Sequence, residues 1–275
     1  MAPGFDTVSF LSDYGLDDEF VGVVKAVIRA IAPAAAVIDV THNVAAHDVR
    51  AGSLVLARSV QYLPPGIVLA VVDPGVGSAR RAVAVEVGGD DGPGDRTVLV
   101  GPDNGLLAPA VALAGGARRA VALTDTRFHL DAPGPTFAGR DVFGPVAAHL
   151  CAGVELDELG EAVDPYSLMP GIVPLSRAED GRVEGEVLWV DRFGNAQLNV
   201  GPEEIDDLGS PVVLRRGERS RSVTRVATYS ELGPGQVGLV VDSYGLLAVV
   251  LDRRSAAAEL GLAPGDQVRI EASGD

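Results

Sequence analysis

Between residues 19 and 32 the apolar side chains recur at Val21, Val24, Ile28 and Ile31, the three-and-four spacing that lines one face of a helix. Short β-rich runs at 7–11 and 36–40 flank this helix and predict strands. Residues 51–62 return to the helical period, and 67–72, Ile-Val-Leu-Ala-Val-Val, carry no polar side chain at all. Such a run predicts a parallel strand covered on both faces. Strands at 82–87, 97–100 and 120–123 then mix with helices at 106–114 and 141–152, the last starting from Asp141 as its N-cap. This alternation predicts a three-layer α/β domain over residues 1–165. The Gly- and Asp-rich stretch at 88–95 predicts an exposed hairpin loop.

From about Gly171 the rhythm changes to short strands separated by turns, at 182–190, 196–200, 211–215, 223–226, 238–241, 246–251 and 267–271. No long helical pattern interrupts them, so residues 171–275 predict a small antiparallel β-barrel or sandwich. Pro165, Pro170 and Pro174 mark the linker between the two parts.

Composition narrows the chemistry. The 275 residues hold 22 Lys+Arg against 38 Asp+Glu, a net charge of −16 that repels phosphate backbones and anionic lipid. Neither nucleic acid nor a membrane surface is expected as a partner, whereas a cationic or neutral small molecule is compatible. One cysteine, Cys151, excludes an internal disulfide and a multi-thiolate metal site. Lys25 is the only lysine, which disfavours Schiff-base chemistry. The N-terminus has no basic region followed by an apolar stretch, and no apolar run approaches the ~20 residues of a membrane span. A cytoplasmic protein is expected.

Polar residues collect at the ends of predicted strands, in Ser12-Asp13-Tyr14-Gly15, Asp73-Pro74-Gly75-Val76-Gly77 and Gly101-Pro102-Asp103-Asn104-Gly105. Each is also a good turn sequence. Three such loops on one edge of an open α/β sheet predict a ligand crevice. The glycines form neither a dinucleotide fingerprint nor a phosphate loop with its lysine. His42, His47, His129 and His149 lack metal-ligand spacing, so no metal is expected, and no Gly-x-Ser-x-Gly nucleophile elbow is present. What remains is Asp73 with Arg80 seven residues on, joined by a glycine-rich loop able to fold the guanidinium back onto the carboxylate.

Seven motifs in order then carry a resemblance. They are Phe10-Leu11-Ser12-Asp13-Tyr14-Gly15, Asp39-Val40-Thr41-His42, Val71 to Gly77 with Arg80-Arg81, Gly101 to Gly105, Thr136-Phe137-Ala138-Gly139-Arg140-Asp141, Asp191-Arg192-Phe193-Gly194-Asn195 and Ser243-Tyr244-Gly245. Across nearly the whole chain the sequence resembles the S-adenosyl-L-methionine (SAM) hydroxide adenosyltransferases, the adenosine-forming SAM hydrolases related to the fluorinase and chlorinase. The resemblance implies an N-terminal α/β domain, a C-terminal β-barrel, and a homotrimer that binds SAM between the N-terminal domain of one subunit and the C-terminal domain of the next. It implies attack of water at ribose C5′, with adenosine and methionine as products and no cofactor. It places Asp13 on the ribose hydroxyls and Asp73 and Arg80 around the water. Asp191 falls to the methionine ammonium, Ser243 to its carboxylate and Asn195 to the adenine edge. Phe193 and Tyr229 flank the base, the backbone at Arg253 completes its contacts, and Thr136, Phe137, Pro74 and Tyr244 complete the binding set.

Two departures stand out. Ala138 occupies the place where the family's hydrolases have His, and a methyl group neither donates nor accepts a hydrogen bond. An impaired hydrolase, a natural variant with a substitute group (His129 among the options), an alanine substitution made to trap substrate, and a SAM- or nucleoside-binding protein without turnover are the resulting readings. Asp73 disfavours halide-dependent adenosyl transfer, because a carboxylate repels a bare anion. Ala248 stands where many of the family's members have Glu.

Overall fold

The computed structural model describes residues 4–88 and 96–273. The chain divides into two compact units, Met1–Ile172 and Val173–Asp275.

The first unit is built on a seven-stranded sheet. In chain order its elements are β1 (Thr7–Ser12), α1 (Phe20–Ile31), β2 (Ala36–Thr41), α2 (Val49–Val60), β3 (Ile67–Val71), β4 (Ala82–Val87), β5 (Thr97–Pro102), α3 (Ala108–Leu113), β6 (Arg119–Ala122), α4 (Gly144–Cys151) and β7 (Glu161–Val163). The strand order is β2-β1-β3-β5-β4-β6-β7. β2, β1, β3 and β5 run parallel, and β4, β6 and β7 extend the sheet antiparallel. The apolar run at 67–72 shows why three layers form. Ile67, Leu69 and Val71 join one core with Val24 and Ile28 of α1 and Val146 and Ala147 of α4. Val68, Ala70 and Val72 join a second core with Leu56 of α2 and Ala110 of α3. Alternate side chains of one strand thus bury on opposite faces, as the period of two requires. The loop expected at 88–95 lies, Gly88 apart, outside the described residues.

One local expectation is corrected. Asp141 does not cap the helix: it is buried inside a π-helical turn, Gly139–Phe143, and pairs with Arg140, Nε to Oδ1 at 2.5 Å. The N-cap of α4 is Phe143, with no side-chain cap. A carboxylate with an adjacent arginine is satisfied without the helix N-terminus, and the wider turn takes it inward.

The second unit contains β8 (Arg177–Glu179), β9 (Arg182–Val190), β10 (Ala196–Leu198), β11 (Val212–Arg216), β12 (Arg219–Arg225), β13 (Val237–Val241), β14 (Leu247–Leu251), α5 (Ala256–Leu260) and β15 (Gln267–Ala272). Strands pair in the order β10-β14-β13-β12-β11-β15-β9, and β10 pairs back onto β9, closing a seven-stranded barrel that β8 extends at β9. One pairing, β12 with β13, is parallel. Val187, Leu198, Val212, Val223, Leu239, Val249 and Ile270 fill the interior. Among the described residues no helix is long and apolar enough to cross a membrane.

Candidate active site

The carboxyl ends of β1, β3 and β5 lie on one edge of the first sheet, because these strands are parallel neighbours. Asp73 follows β3 directly. Its carboxylate is almost fully buried and receives Arg80 in a fork: Nε donates to Oδ1 at 2.9 Å and to Oδ2 at 3.1 Å, and Nη2 donates to Oδ2 as well. The Arg80 guanidinium also sits 5.2 Å from the centre of the Phe143 ring. The glycine-rich loop makes this return possible. Val76 N–H donates to the Asp73 carbonyl, and the Cα of Gly77 comes so close to the 135 loop that a Cβ there would lie 3.1 Å from the Pro135 carbonyl. The Asp73–Arg80 loop is therefore packed against the segment that leads into Thr136, Phe137 and Ala138.

Asp13 follows β1, and its Oδ2 accepts the His47 N–H at 2.9 Å. Beside it runs a hydrogen-bonded chain that the sequence reading missed, buried at Ser12 and His42 and open at Asp39 and Lys25. Ser12 Oγ and His42 Nδ1 share a hydrogen bond of 2.8 Å, His42 Nε2 and Asp39 Oδ1 one of 3.0 Å, and Lys25 Nζ donates to Asp39 at 2.6 Å. Ser12 and His42 are both buried, so this serine–histidine–aspartate order braces the strand end and presents no nucleophile. The third loop is also a brace. Asn104 Nδ2 donates to the Val72 carbonyl at 2.9 Å, while Asp103 receives Arg81 and the Met169 N–H.

Tyr14, quoted in the motif but given no role, follows β1 on this edge. Its ring packs with Phe20 and Phe137, at centroid distances of 5.7 and 5.6 Å. Its hydroxyl abuts the backbone of Gly139. Burial, with the charges of Asp13 and Asp73 adding to it, pushes the phenol well above its ordinary value, so it stays protonated. Ala138 packs its methyl against the same apolar cluster as Tyr14 and Phe137. Burial lowers His129, against the nearby charge of Asp125, which raises it.

In the second unit Asp191, Phe193, Asn195, Tyr229 and Arg253 line one pocket of about 720 Å³, with Leu251, Asp252, Arg254 and Ser255. Asp191 organises the turn from β9 to β10. Its Oδ1 accepts the N–H groups of Phe193 and Asn195, both at 2.9 Å, and its Oδ2 accepts Asn195 Nδ2 at 2.8 Å. Oδ1 is saturated by its two N–H donors, Oδ2 keeps a further lone pair for a cation, and Asn195 keeps its Oδ1 and one amide hydrogen for a planar edge. Phe193 is 71% exposed and Tyr229 46%, so two aromatic faces stand open in the pocket. Burial, then Asp191 and Asp242, raises the Tyr229 phenol. Gly194 sets the geometry, with φ +85° and a position where a Cβ would lie 2.0 Å from Ser255 Oγ; only glycine fits against the start of α5. Ser243 and Tyr244 sit on the turn after β13, outside the pocket lining, where Asp242 Oδ1 accepts the Tyr244 N–H at 2.8 Å. Asp242 and Asp252 are further acids that the motif reading passed over.

Comparison with known proteins agrees with both units. Residues 8–160 match the SAM hydroxide adenosyltransferase N-terminal domain and residues 185–269 the C-terminal domain of the same family. A protein of Salinispora tropica named (R)-S-adenosyl-L-methionine hydrolase is 46% identical over 265 residues, covering 96% of this chain and 97% of its own. A fluorinase of an Actinoplanes species is 26% identical, covering 98% of each chain. The crystal structure of an uncharacterized conserved protein from Thermotoga maritima superposes with a TM-score of 0.86 at 32% identity, over 96% of this chain and 99% of that one. The α/β unit with its Asp73–Arg80 fork, the closed barrel with its Asp191 turn and these matches lead to one conclusion: the chain belongs to the SAM hydroxide adenosyltransferase family.

Proposed function

We propose that the protein hydrolyses S-adenosyl-L-methionine, in the (R) form that its relatives' name specifies, to adenosine and L-methionine. The observation that carries this reading is the buried fork of Arg80 on Asp73 at the end of β3. The oxygen of one water forms a bond to C5′ as the C5′–S bond breaks. The sulfonium leaves as neutral methionine thioether, so departure needs no proton donor and the reaction needs no cofactor. The water's proton passes to the Asp73 carboxylate, which Arg80 holds in place, and from there to solvent. Fixing the water in line removes several kcal/mol of barrier, within the ~7–11 kcal/mol that orientation supplies in favourable cases.

Asp13 takes the ribose hydroxyls, with Pro74, Thr136 and Phe137 walling the sugar. Asp191 takes the methionine ammonium, Ser243 and Tyr244 its carboxylate end, and Asn195, Phe193, Tyr229 and the backbone at Arg253 the adenine. Neighbouring subunits of a homotrimer in the cytoplasm bring the two groups to one substrate. At position 138 a methyl group replaces the expected imidazole, and the protonated Tyr14 hydroxyl serves as the neutral polar group within electrostatic reach of Asp73 and Arg80. Asp73 works against halide as nucleophile, since its charge repels an anion. Incubation with SAM and chromatography tests the reading. Adenosine and methionine in equal amounts support it; SAM that binds and persists overturns it in favour of a binding protein; a 5′-halo product that scales with halide overturns it in favour of adenosyl transfer.

A further inference from the structure

The sharpest charge anomaly of the chain lies away from these residues. On a protein of net charge −16, five of the 22 basic residues fall within 215–225, on β11 and β12, against one acid, Glu218, in the turn between them: Arg215, Arg216, Arg219, Arg221 and Arg225. Three of them share a face. Val212, Leu214 and Val223 point into the barrel core, and the period of two places Arg216, Arg219 and Arg221 on that same side, past the end of the core. Arg216 stands directly opposite Arg219 in the antiparallel register, and Arg221 opposite Leu214.

Like charges directly opposite one another repel. The two guanidinium groups nevertheless converge: Nη1 of Arg216 and Nη1 of Arg219 lie 3.5 and 3.6 Å from the point where a Gly261 side chain would begin, at the end of α5. With Arg221 and Ser220 they rim a pocket of about 320 Å³ whose apolar wall is Leu214, Leu260 and Leu262. Asp266 pairs with Arg216 at 2.8 Å. Glu259 lines the pocket but is paired with Arg254 at 2.6 Å. Among the described residues neither Arg219 nor Arg221 has an ion-pair partner. No residue is shared with the Asp191 pocket.

We propose that this pocket binds a small organic phosphate, its phosphate gripped by Arg219 and Arg221 beside Arg216 and its apolar body laid against the three leucines. Planar guanidinium forks match phosphate oxygens, and a doubly charged group relieves the repulsion of the cluster. The volume suits one small molecule, near the lower end of the ~300–1,000 Å³ range of such sites. A long polyanion is disfavoured, because the rest of the protein repels it.

The test is calorimetric titration of the whole protein with phenyl phosphate, with phenol and inorganic phosphate as controls. One phenyl phosphate per chain is expected, with phenol and inorganic phosphate each at least tenfold weaker. In the double variant Arg219→Ser, Arg221→Ser, affinity for phenyl phosphate should fall at least tenfold while adenosine formation from SAM is unchanged, which separates this proposal from the hydrolase reading. Arg219→Gln alone, expected to weaken binding severalfold, carries the test if the double variant loses its circular dichroism spectrum. Absence of binding at millimolar phenyl phosphate, equal affinity for inorganic phosphate, or unchanged affinity in the variants would overturn the proposal.

Discussion

The Tyr14 hydroxyl stands against the backbone of Gly139 so closely that a Cβ at residue 139 would lie 2.2 Å from Oη and 3.0 Å from Cζ. Residue 139 must therefore be glycine if the phenol is to keep its place within electrostatic reach of Asp13, Asp73 and Arg80. Gly139→Ala should displace the ring and destabilise the protein by about 1–3 kcal/mol, the usual cost of overpacking, read as a lowered Tm. Tyr14→Phe keeps the ring and removes only the hydroxyl. It should lower kcat with little change in KM for SAM. Because the phenol titrates well above its ordinary ~10, the wild-type rate should show no alkaline loss from this group even at about pH 10, where an ordinary phenol is half ionised. An unchanged kcat in Tyr14→Phe would remove the hydroxyl from the mechanism.

Asp73→Asn keeps the shape of the fork and takes away its charge. Turnover should fall by ~10²–10⁴-fold, the range for loss of acid–base assistance, with SAM affinity nearly intact. Ala138→His should raise turnover, and a rate unaffected by that change but abolished by Asp73→Asn would show that the histidine has no part in this protein's chemistry.

Gly194→Ala puts a methyl group into Ser255 and forces a side chain into positive φ. The Asp191 turn should shift, raising KM for SAM more than it lowers kcat in steady-state kinetics. A larger fall in kcat than rise in KM would mean that this pocket acts on the reacting atoms.

Desolvation raises the Asp39 carboxyl, but hydrogen bonds from His42 and Lys25 outweigh it and hold the group below its ordinary value. A depressed folded-state value contributes stability above the unfolded value of ~3.9, which is lost as pH falls through the folded one. The Tm gap between wild type and Asp39→Asn should be full near neutral pH and shrink below about pH 4. A gap independent of pH would assign the effect to packing.

The α/β pattern was legible because Ile67 to Val72 must bury two faces, and that demand fixes helices on either side. The Asp73–Arg80 fork was legible because the glycine-rich loop leaves the guanidinium few other places. Asp141 was misplaced because its local sequence fits a cap, while its arginine neighbour and burial are properties of the folded unit. Tyr14 and His42 escaped for a related reason. A phenol reads as an apolar ring until its surroundings are known, and a lone histidine shows its serine and aspartate partners only when β1 and β2 pair.

The most direct measurement is turnover of SAM in oxygen-18 water, followed by mass spectrometry of both products. Attack of water at C5′ places one heavy oxygen in adenosine, at its 5′-hydroxyl, and leaves methionine unlabelled. Adenosine without the label, or no adenosine at all, would contradict the assignment of Asp73 and Arg80 to a water that displaces methionine.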